Sequence, residues 1–248
     1  MVLPILASIL ALAFKVNYFW AIMLFLGAPS IYLSIKAPKY IPKTAIYSLI
    51  ASVPAILVVD YIGQKTSQWV IPASISSIRL FGVTQIEQLL WAFFNFYAVV
   101  IFYKYFLDNY CSKRLVGKRW LELLYIGILL AVPFALFLVI KPEVLNIPYF
   151  YFYFGLVLIG IPAVLELFKH PRLVSKFLKT AAYFYYLSLV FEVTALRLNC
   201  CWEFPSKQFI GWIYIAQVRF PLEELLFWIM LFALAILAVY EKFDENEI

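Results

Sequence analysis

Ile86-Glu87-Gln88-Leu89-Leu90-Trp91 and Leu222-Glu223-Glu224-Leu225-Leu226-Phe227 are two versions of one pattern, in which acidic and amide side chains open a long apolar run. A carboxylate costs about 3 kcal/mol at the centre of a lipid-embedded helix on insertion scales. A sequence that keeps acids at the edges of both apolar runs therefore suggests that the protein uses them.

The sequence around this pattern is repeated as well. Gly27-Ala28-Pro29 returns as Gly160-Ile161-Pro162, and Trp69-x-x-Pro72 returns as Trp202-x-x-Pro205, both at the same spacing along the chain. A short insertion then precedes the second acidic motif, so that motif follows its first copy at a slightly longer spacing. We interpret the chain as a duplicated unit.

The composition is that of a membrane protein. The chain of 248 residues is 65% apolar, 20% aromatic and 14% charged, and its mean hydropathy is +0.91. A soluble domain carries about 25% charged residues. Several apolar stretches approach or exceed the roughly 20 residues that cross a bilayer. The net charge of +6 is interpreted as a signal of topology, and no nucleic-acid partner is expected.

The sequence predicts an all-α integral membrane protein with seven transmembrane helices. The apolar segment 2–14 is short, and it either forms an eighth, tilted span or extends the first helix. The seven predicted helices cover residues 17–36, 43–63, 85–107, 119–140, 149–168, 177–197 and 218–240.

Two three-helix repeats, joined by the fourth helix as a linker, account for this order. The predicted divisions are residues 1–110 for the N-terminal repeat, 111–148 for the linker and 149–248 for the C-terminal repeat. One linker helix returns the chain to the same side of the membrane, so the repeats are predicted to be parallel, with a site at their interface.

Positive charge predicts the orientation. Of the 20 lysines and arginines, 13 lie in the loops after helices one, three and five or at the C-terminus, and seven lie on the other side. Basic loops remain in the cytoplasm. The prediction is a multi-pass protein of the cell membrane with its N-terminus outside and its C-terminus in the cytoplasm.

Five acidic side chains gather towards one face under this topology. At a helix N-terminus a carboxylate can simply satisfy free backbone N–H groups, which is worth about 0.3–1 kcal/mol. Adjacent acids point about 100° apart on a helix, however, so one can cap while the other faces the bundle. The five candidate catalytic residues are Asp60, Glu87, Glu192, Glu223 and Glu224.

Aromatic residues accompany the acids. Trp91 lies one turn after Glu87, and Phe227 lies one turn after Glu223. A carboxyl group desolvated among apolar side chains can stay protonated and donate a proton, and an aromatic face stabilises a cation by about 2 kcal/mol where water is excluded. This combination favours carbocation chemistry. The repeated Trp69 and Trp202 join Trp91 and Phe227 as candidate substrate-binding residues.

No cofactor or metal is predicted. The single histidine, His170, has no clustered partners, and the cysteines Cys111, Cys200 and Cys201 form no metal-binding spacing. Neither a GxGxxG nor a Walker pattern is present.

The stretch from Phe220 to Phe227 resembles the P-x-E-E-x-x-F signature of the membrane-embedded lycopene cyclase family. That family includes two-subunit bacterial, fused archaeal and fungal bifunctional forms. The duplicated unit, and an acid followed by Trp and Pro, are similar to the family pattern over nearly the whole chain. The first copy departs from it, because Gln85-Ile86-Glu87-Gln88 lacks the proline and the second glutamate.

The resemblance implies a cyclisation without redox change and without flavin. A carboxylic acid would protonate a terminal double bond of lycopene or a related C40 carotenoid, and loss of a ring proton would leave a β-ionone ring. Glu223 or Glu224 would be the donor, the other acid or Glu87 the acceptor, and Asp60 and Glu192 accessory acids. The implied partners are the carotenoid, the lipid bilayer and other enzymes of the carotenoid pathway.

Two other interpretations stay open. A carotenoid hydratase would use the same site and quench the cation with water. A small transporter would also combine internal repeats with polar helix breaks. A microbial rhodopsin is rejected, because its last helix needs a lysine and there is none between Arg219 and Lys242.

Overall fold

A computed structural model describes residues 2–108, 119–169, 171–199 and 201–244. Some of the sequence predictions concern other residues. His170, Cys111 and Cys200 lie outside the described part of the chain, as does the predicted division between residues 110 and 111.

The described residues of the first half contain four helices and a small hairpin. Helix α1 covers Val2–Phe14, and helix α2 covers Tyr18–Lys36. Helix α3 covers Ile41–Lys65 and follows a short turn at Pro38–Tyr40. Strands β1 and β2, Arg79–Leu80 and Thr84–Gln85, pair antiparallel and lead into helix α4, Ile86–Phe106.

The second half follows a similar order. Helix α5 covers Trp120–Ile140. Helix α6 is continuous through the segments Phe150–Gly155, Leu156–Gly160 and Ile161–Lys169. Helix α7 covers Val174–Leu198. Strands β3 and β4, Trp212–Ile215 and Val218–Pro221, pair antiparallel before helix α8, Glu224–Asp244.

Five helices within the described residues have the length and apolar composition of a membrane span: α2, α3 (with its preceding turn), α4, α5 and α8. Segments Val2–Phe14 and Phe150–Leu165 are apolar but shorter. Helix α5 has the most exposed apolar surface, since only 6% of its most apolar window is buried inside the protein. The chain is thus a helical protein whose long apolar helices suggest a membrane location.

The structure corrects one detail of the prediction and narrows a second, which the sequence leaves open. The sequence predicts residues 218–221 at the start of the last helix, but Val218–Pro221 is a strand, because Leu222 and the preceding residues hydrogen bond back to the segment from Gly211 to Ile215. Segment 2–14 does not extend α2, because Lys15 takes a positive φ of 46° that ends α1. Helix α1 packs instead on α7, where Ser8 Oγ lies 2.7 Å from Thr194 Oγ1.

A widened turn precedes a proline inside both α2 and α6. A proline within a helix has no N–H to donate and clashes with the carbonyl group four residues earlier. The turn before Pro29 opens into a π-helix at Met23–Gly27, and the turn before Pro162 does so at Leu156–Gly160. These widened turns alter which side chains share a face of each helix.

Several local structures therefore occur twice at the spacing of the sequence motifs. The two π-helical turns begin at equivalent positions of the repeated sequence. Helices α3 and α7 also begin at equivalent positions, and both have 25 residues. The loops that follow them are joined by an antiparallel bridge between Val70 and Glu203, which are themselves equivalent positions in the two copies.

A largely buried network of charges joins the helices at the end opposite to the hairpins. Lys104 Nζ lies 2.7 Å from both Asp108 Oδ2 and Asp244 Oδ2. Lys43 pairs with Asp244, and Lys176 Nζ lies 3.0 Å from Asp108 Oδ1. The network ties α8 to α3 and α4, and α7 to the segment that follows α4.

Asp108 shows the electrostatic balance of this network. Burial alone would raise its pKa, but the hydrogen bonds and charges of Lys104 and Lys176 outweigh burial and hold the pKa below its usual value. A carboxyl group with a lowered pKa stabilises the fold above its unfolded pKa, and this contribution is lost as the pH falls through the folded pKa.

Replacing Asp244 with Asn should destabilise the protein, because two buried ammonium groups would lose their shared carboxylate. Breaking a buried ion pair costs about 3–5 kcal/mol. The free energy of unfolding in detergent micelles would measure this loss. The control is Glu122→Gln, which removes an exposed contact of 3.9 Å with Arg119 and should cost at most about 1 kcal/mol. Equal stability of the two variants would contradict a structural role for the network.

Candidate functional site

A cavity with a volume of about 50 Å³ lies among the helices near the hairpins. Its wall combines four tryptophans with two tyrosines and few polar groups. Glu224 is the one carboxyl-bearing residue of this wall among the described residues. The wall is formed by Tyr18, Ile56, Val59, Trp69, Gln88, Trp91, Tyr151, Trp202, Phe204, Glu224 and Trp228.

Glu224 is held at the first turn of α8. The strand β4 ends at Pro221, and the chain turns directly into a π-helical segment, Glu224–Leu231. The side chain of Glu224 is 9% exposed, and Tyr151 of α6 donates a hydrogen bond to its Oε2. Within the described residues no other hydrogen bond to the Glu224 carboxyl group is found, so its other oxygen is free to meet a ligand.

Gln88 stands on α4 in a place related to that of Glu224. Tyr18 of α2 donates a hydrogen bond to Gln88 Oε1, just as Tyr151 of α6 donates to Glu224. Gln88 Nε2 donates to Asp60 Oδ1 over 2.7 Å. The amide is therefore held at both ends, and its orientation is fixed.

Two tryptophans of the wall connect the cavity to acids behind it. Trp69 Nε1 donates to Asp60 Oδ1 over 3.0 Å, and Trp202 Nε1 donates to Glu192 Oε1 over 3.0 Å. Both acids are buried, at 0% and 2% exposure, and neither lies on the wall. Asp60 and Glu192 therefore position the indole rings.

The tryptophans also cross between the two halves of the chain. The ring of Trp69 packs on Tyr151 with centroids 5.0 Å apart, and Trp202 packs on Tyr18 with centroids 5.5 Å apart. Each tryptophan thus supports the tyrosine of the other half. The cavity is consequently a shared product of both halves.

Glu87 and Glu223 point away from the wall and hold loops. Glu87 Oε1 accepts hydrogen bonds from the Ile75 backbone N–H over 2.6 Å and from Ser74 Oγ over 2.7 Å. Glu223 Oε1 accepts from the Ile210 backbone N–H over 2.7 Å. Glu223 Oε2 is buried and has no hydrogen-bond partner among the described residues.

The structure places three of the four predicted aromatic residues on the cavity wall. Trp69, Trp91 and Trp202 line the cavity. Phe227 lies instead against Gly155, so closely that a Cβ added to this glycine would clash with the phenyl ring. The helix face that meets the cavity carries Glu224 and Trp228, one residue beyond the predicted pairing of Glu223 with Phe227.

Sequence reasoning missed Tyr18, Tyr151, Trp228 and the direct role of Gln88 in the wall. The repeat spacing could have identified Tyr18 and Tyr151, because the two tyrosines occupy equivalent positions in the two copies, like the other repeated residues. The motif marks Gln88 only as a departure from the pattern. The sequence contains a signal for Trp228 as well, because it lies four residues after Glu224, just as Phe227 lies four residues after Glu223.

Neither a metal centre in the described part of the chain nor a match to a known protein points to a function. Within the described residues, no group of three or more His, Cys, Asp and Glu side chains is placed to hold a metal ion. No protein-family model, curated protein or solved structure matches the chain. The chemistry of the cavity wall is therefore the observation on which a function can rest.

Replacing Gly63 with Ala should displace Trp69 and disturb the cavity. An added Cβ would clash with the indole ring, and such overpacking costs about 1–3 kcal/mol. Thermal unfolding in detergent micelles would detect the loss. Gly211→Ala is the matched control, because its nearest contact would be an ordinary 3.5 Å. Unchanged stability of Gly63→Ala would mean that Trp69 does not lie against Gly63.

Proposed function

We propose that this chain is a membrane-embedded cyclase of the lycopene cyclase type. It would convert the linear end groups of lycopene or a related C40 carotenoid into β-ionone rings by acid–base chemistry without redox change. The observation that carries the proposal is the position of Glu224. It is the one carboxyl group on an aromatic cavity wall among the described residues.

The proposed architecture is two parallel three-helix repeats with a linker helix. Helices α2 to α4 form the first repeat, α5 the linker, and α6 to α8 the second, which requires seven spans. The recurrence of π-helical turns, 25-residue helices and crossed tyrosine pairs supports this division. A site shared by both repeats is the expected consequence.

The proposed location is the cell membrane, with the cavity end outside and the C-terminus in the cytoplasm. The positive-inside rule supports this orientation. The charge network of Lys43, Lys104 and Lys176 lies at the end that would face the cytoplasm. The substrate would arrive from the bilayer, and other enzymes of the carotenoid pathway are the proposed partners.

The reaction needs a proton donor and a surface that tolerates positive charge. Glu224 would donate the proton to the terminal double bond, and the resulting cation would close a six-membered ring. The faces of Trp69, Trp91, Trp202 and Trp228 would stabilise the cation, each by up to about 2 kcal/mol in the absence of water. Loss of a ring proton would complete the isomerisation.

A second cavity extends the first along the helices. Its volume is about 80 Å³, and it shares Ile56, Val59, Trp91 and Trp228 with the first. Its remaining lining is almost entirely apolar, including Ala55 and Phe154. A polyene chain could lie here while its end group faces Glu224. Both volumes are small, so binding requires the shared aromatic side chains to move apart.

Glu224→Gln should abolish ring formation. General acid catalysis contributes about 10²–10⁴ in rate, so cyclic products should fall at least about 100-fold. The measurement is chromatography of carotenoids from a bacterial host that accumulates lycopene and expresses the variant. Glu223→Gln is the neighbouring comparison, and it should retain far more activity, because its carbonyl oxygen can still accept from the Ile210 N–H.

The same assay provides a control variant and two outcomes that would contradict the proposed cyclase. Glu122→Gln changes an exposed helical acid and should leave the products unchanged. Hydroxylated acyclic products would indicate a hydratase. Unchanged lycopene, with the wild-type protein present in the membrane, would overturn the cyclase and favour a non-enzymatic role such as transport.

Filling the second cavity should slow the reaction without removing the acid. Ala55→Trp places an indole in the proposed path of the polyene and should lower the yield of cyclic products at least tenfold, an effect equal to about 1.4 kcal/mol. Ala135→Trp is the matched control on α5, where the side chain is exposed. Equal yields from both variants, at equal protein levels in the membrane, would show that the polyene takes another path.

A further inference from the structure

Two tyrosine-centred pairs line the same cavity. Tyr18 donates a hydrogen bond to Gln88 Oε1, and Tyr151 donates one to Glu224 Oε2. The tyrosines are equivalent positions of the repeated sequence, and their partners are equivalent positions of the two acidic motifs. The pairs differ in one respect that matters for proton transfer, because a carboxyl group can give and accept a proton whereas a neutral amide keeps its protons.

The other four predicted acids do not reach the wall. Asp60 accepts hydrogen bonds from Trp69, Gln88 and Gln64. Glu192 accepts one from Trp202. Glu87 and Glu223 are bonded to loop backbone N–H groups. Among the described residues, no second carboxyl group is placed to take a proton from a molecule in the cavity.

Resting on the proposed function, we infer that Glu224 carries out both proton transfers, and that Gln88 with Tyr18 forms an uncharged positioning pair on the same wall. In the first step the Glu224 O–H bond breaks and a C–H bond forms at the terminal double bond. The cation then forms the new ring C–C bond. In the last step a ring C–H bond breaks, its electron pair becomes the ring double bond, and the proton returns to Glu224.

This cycle balances without any further reactant. The substrate is isomerised, nothing is oxidised or reduced, and Glu224 ends protonated as it began. The proton on Glu224 after one turnover is therefore the one removed from the ring. Since the side chain of Glu224 is 9% exposed, that proton passes to the next end group when substrate is abundant.

Gln88 is suited to position the substrate because it cannot turn. Its Oε1 is held by Tyr18, and its Nε2 is held by Asp60 over 2.7 Å. Trp69 is bonded to the same carboxylate oxygen of Asp60 over 3.0 Å. One buried acid thus fixes an amide and an indole of the wall at once.

Isotope transfer tests the two-step role of Glu224. The full-length protein in detergent–lipid micelles would convert lycopene that carries deuterium at the ring-forming carbons from which a proton is lost. The reaction is run in ordinary water at saturating substrate, and the product is examined by mass spectrometry and NMR. Deuterium is expected at the ring methylene that receives the donated proton, well above natural abundance.

Two variants test the positioning pair. Gln88→Leu should lower kcat at least tenfold, while the fraction of deuterium transferred per ring stays unchanged. Tyr18→Phe removes only one hydroxyl group and serves where Gln88→Leu fails to fold; it should give a smaller loss with the same transferred fraction. An unchanged kcat in both would overturn the positioning role, and a loss of transfer in either would place the pair on the proton path and overturn the inference.

The outcomes separate the inference from the function on which it rests. Absence of any ring product from the wild-type protein would refute the proposed function. Ring product whose methylene never carries deuterium, even at saturating substrate, would refute the single-acid role of Glu224 and leave the cyclase standing.

Discussion

The structure depends on one interaction: two carboxyl groups enclosed by helices accept hydrogen bonds from indole N–H groups. A buried polar group without a partner costs several kcal/mol in an apolar environment. Asp60 and Glu192 avoid this cost with the indole N–H groups of Trp69 and Trp202, both at 3.0 Å. Each indole is consequently fixed against the tyrosine of the other half. The hydrogen bonds to these acids therefore hold the tryptophans of the cavity wall in place. Both halves of the chain contribute residues to that wall.

Helix geometry decides which acid meets that cavity. An α-helix from residue 218, as the sequence predicts, would begin the last helix several residues too early. The chain instead closes the hairpin at Pro221 and opens α8 with a π-helical segment from Glu224 to Leu231. In this arrangement Glu224 and Trp228 both line the cavity. Glu223, one residue earlier, turns to the loop and accepts from the Ile210 N–H.

The long helices can be predicted closely from apolar length alone. Helix α2 is expected at 17–36 and lies at Tyr18–Lys36, and α5 is expected at 119–140 and lies at Trp120–Ile140. The strands cannot be predicted in this way, because short hairpins such as Trp212–Ile215 with Val218–Pro221 carry the same apolar residues as a helix end.

The aromatic residues of the site also divide into those that the sequence predicts correctly and those that it does not. Trp69, Trp91 and Trp202 can be found from the sequence because they recur or neighbour an acid. Phe227 is expected in the site by the same reasoning, yet it packs on Gly155. Side-chain direction at a widened turn depends on backbone hydrogen bonds that periodicity does not express.

The difference between Gln88 and Glu224 determines how much charge the cavity wall can carry. Both side chains line a space of about 50 Å³, and each is bonded to a tyrosine. A glutamate in place of Gln88 would put a second ionisable carboxyl group on this wall, and like charges disfavour each other. An amide at the first position keeps the tyrosine bond and the link to Asp60 without adding charge. Under the proposed function, the wall therefore presents one ionisable acid, Glu224, and one neutral amide, Gln88, to the substrate.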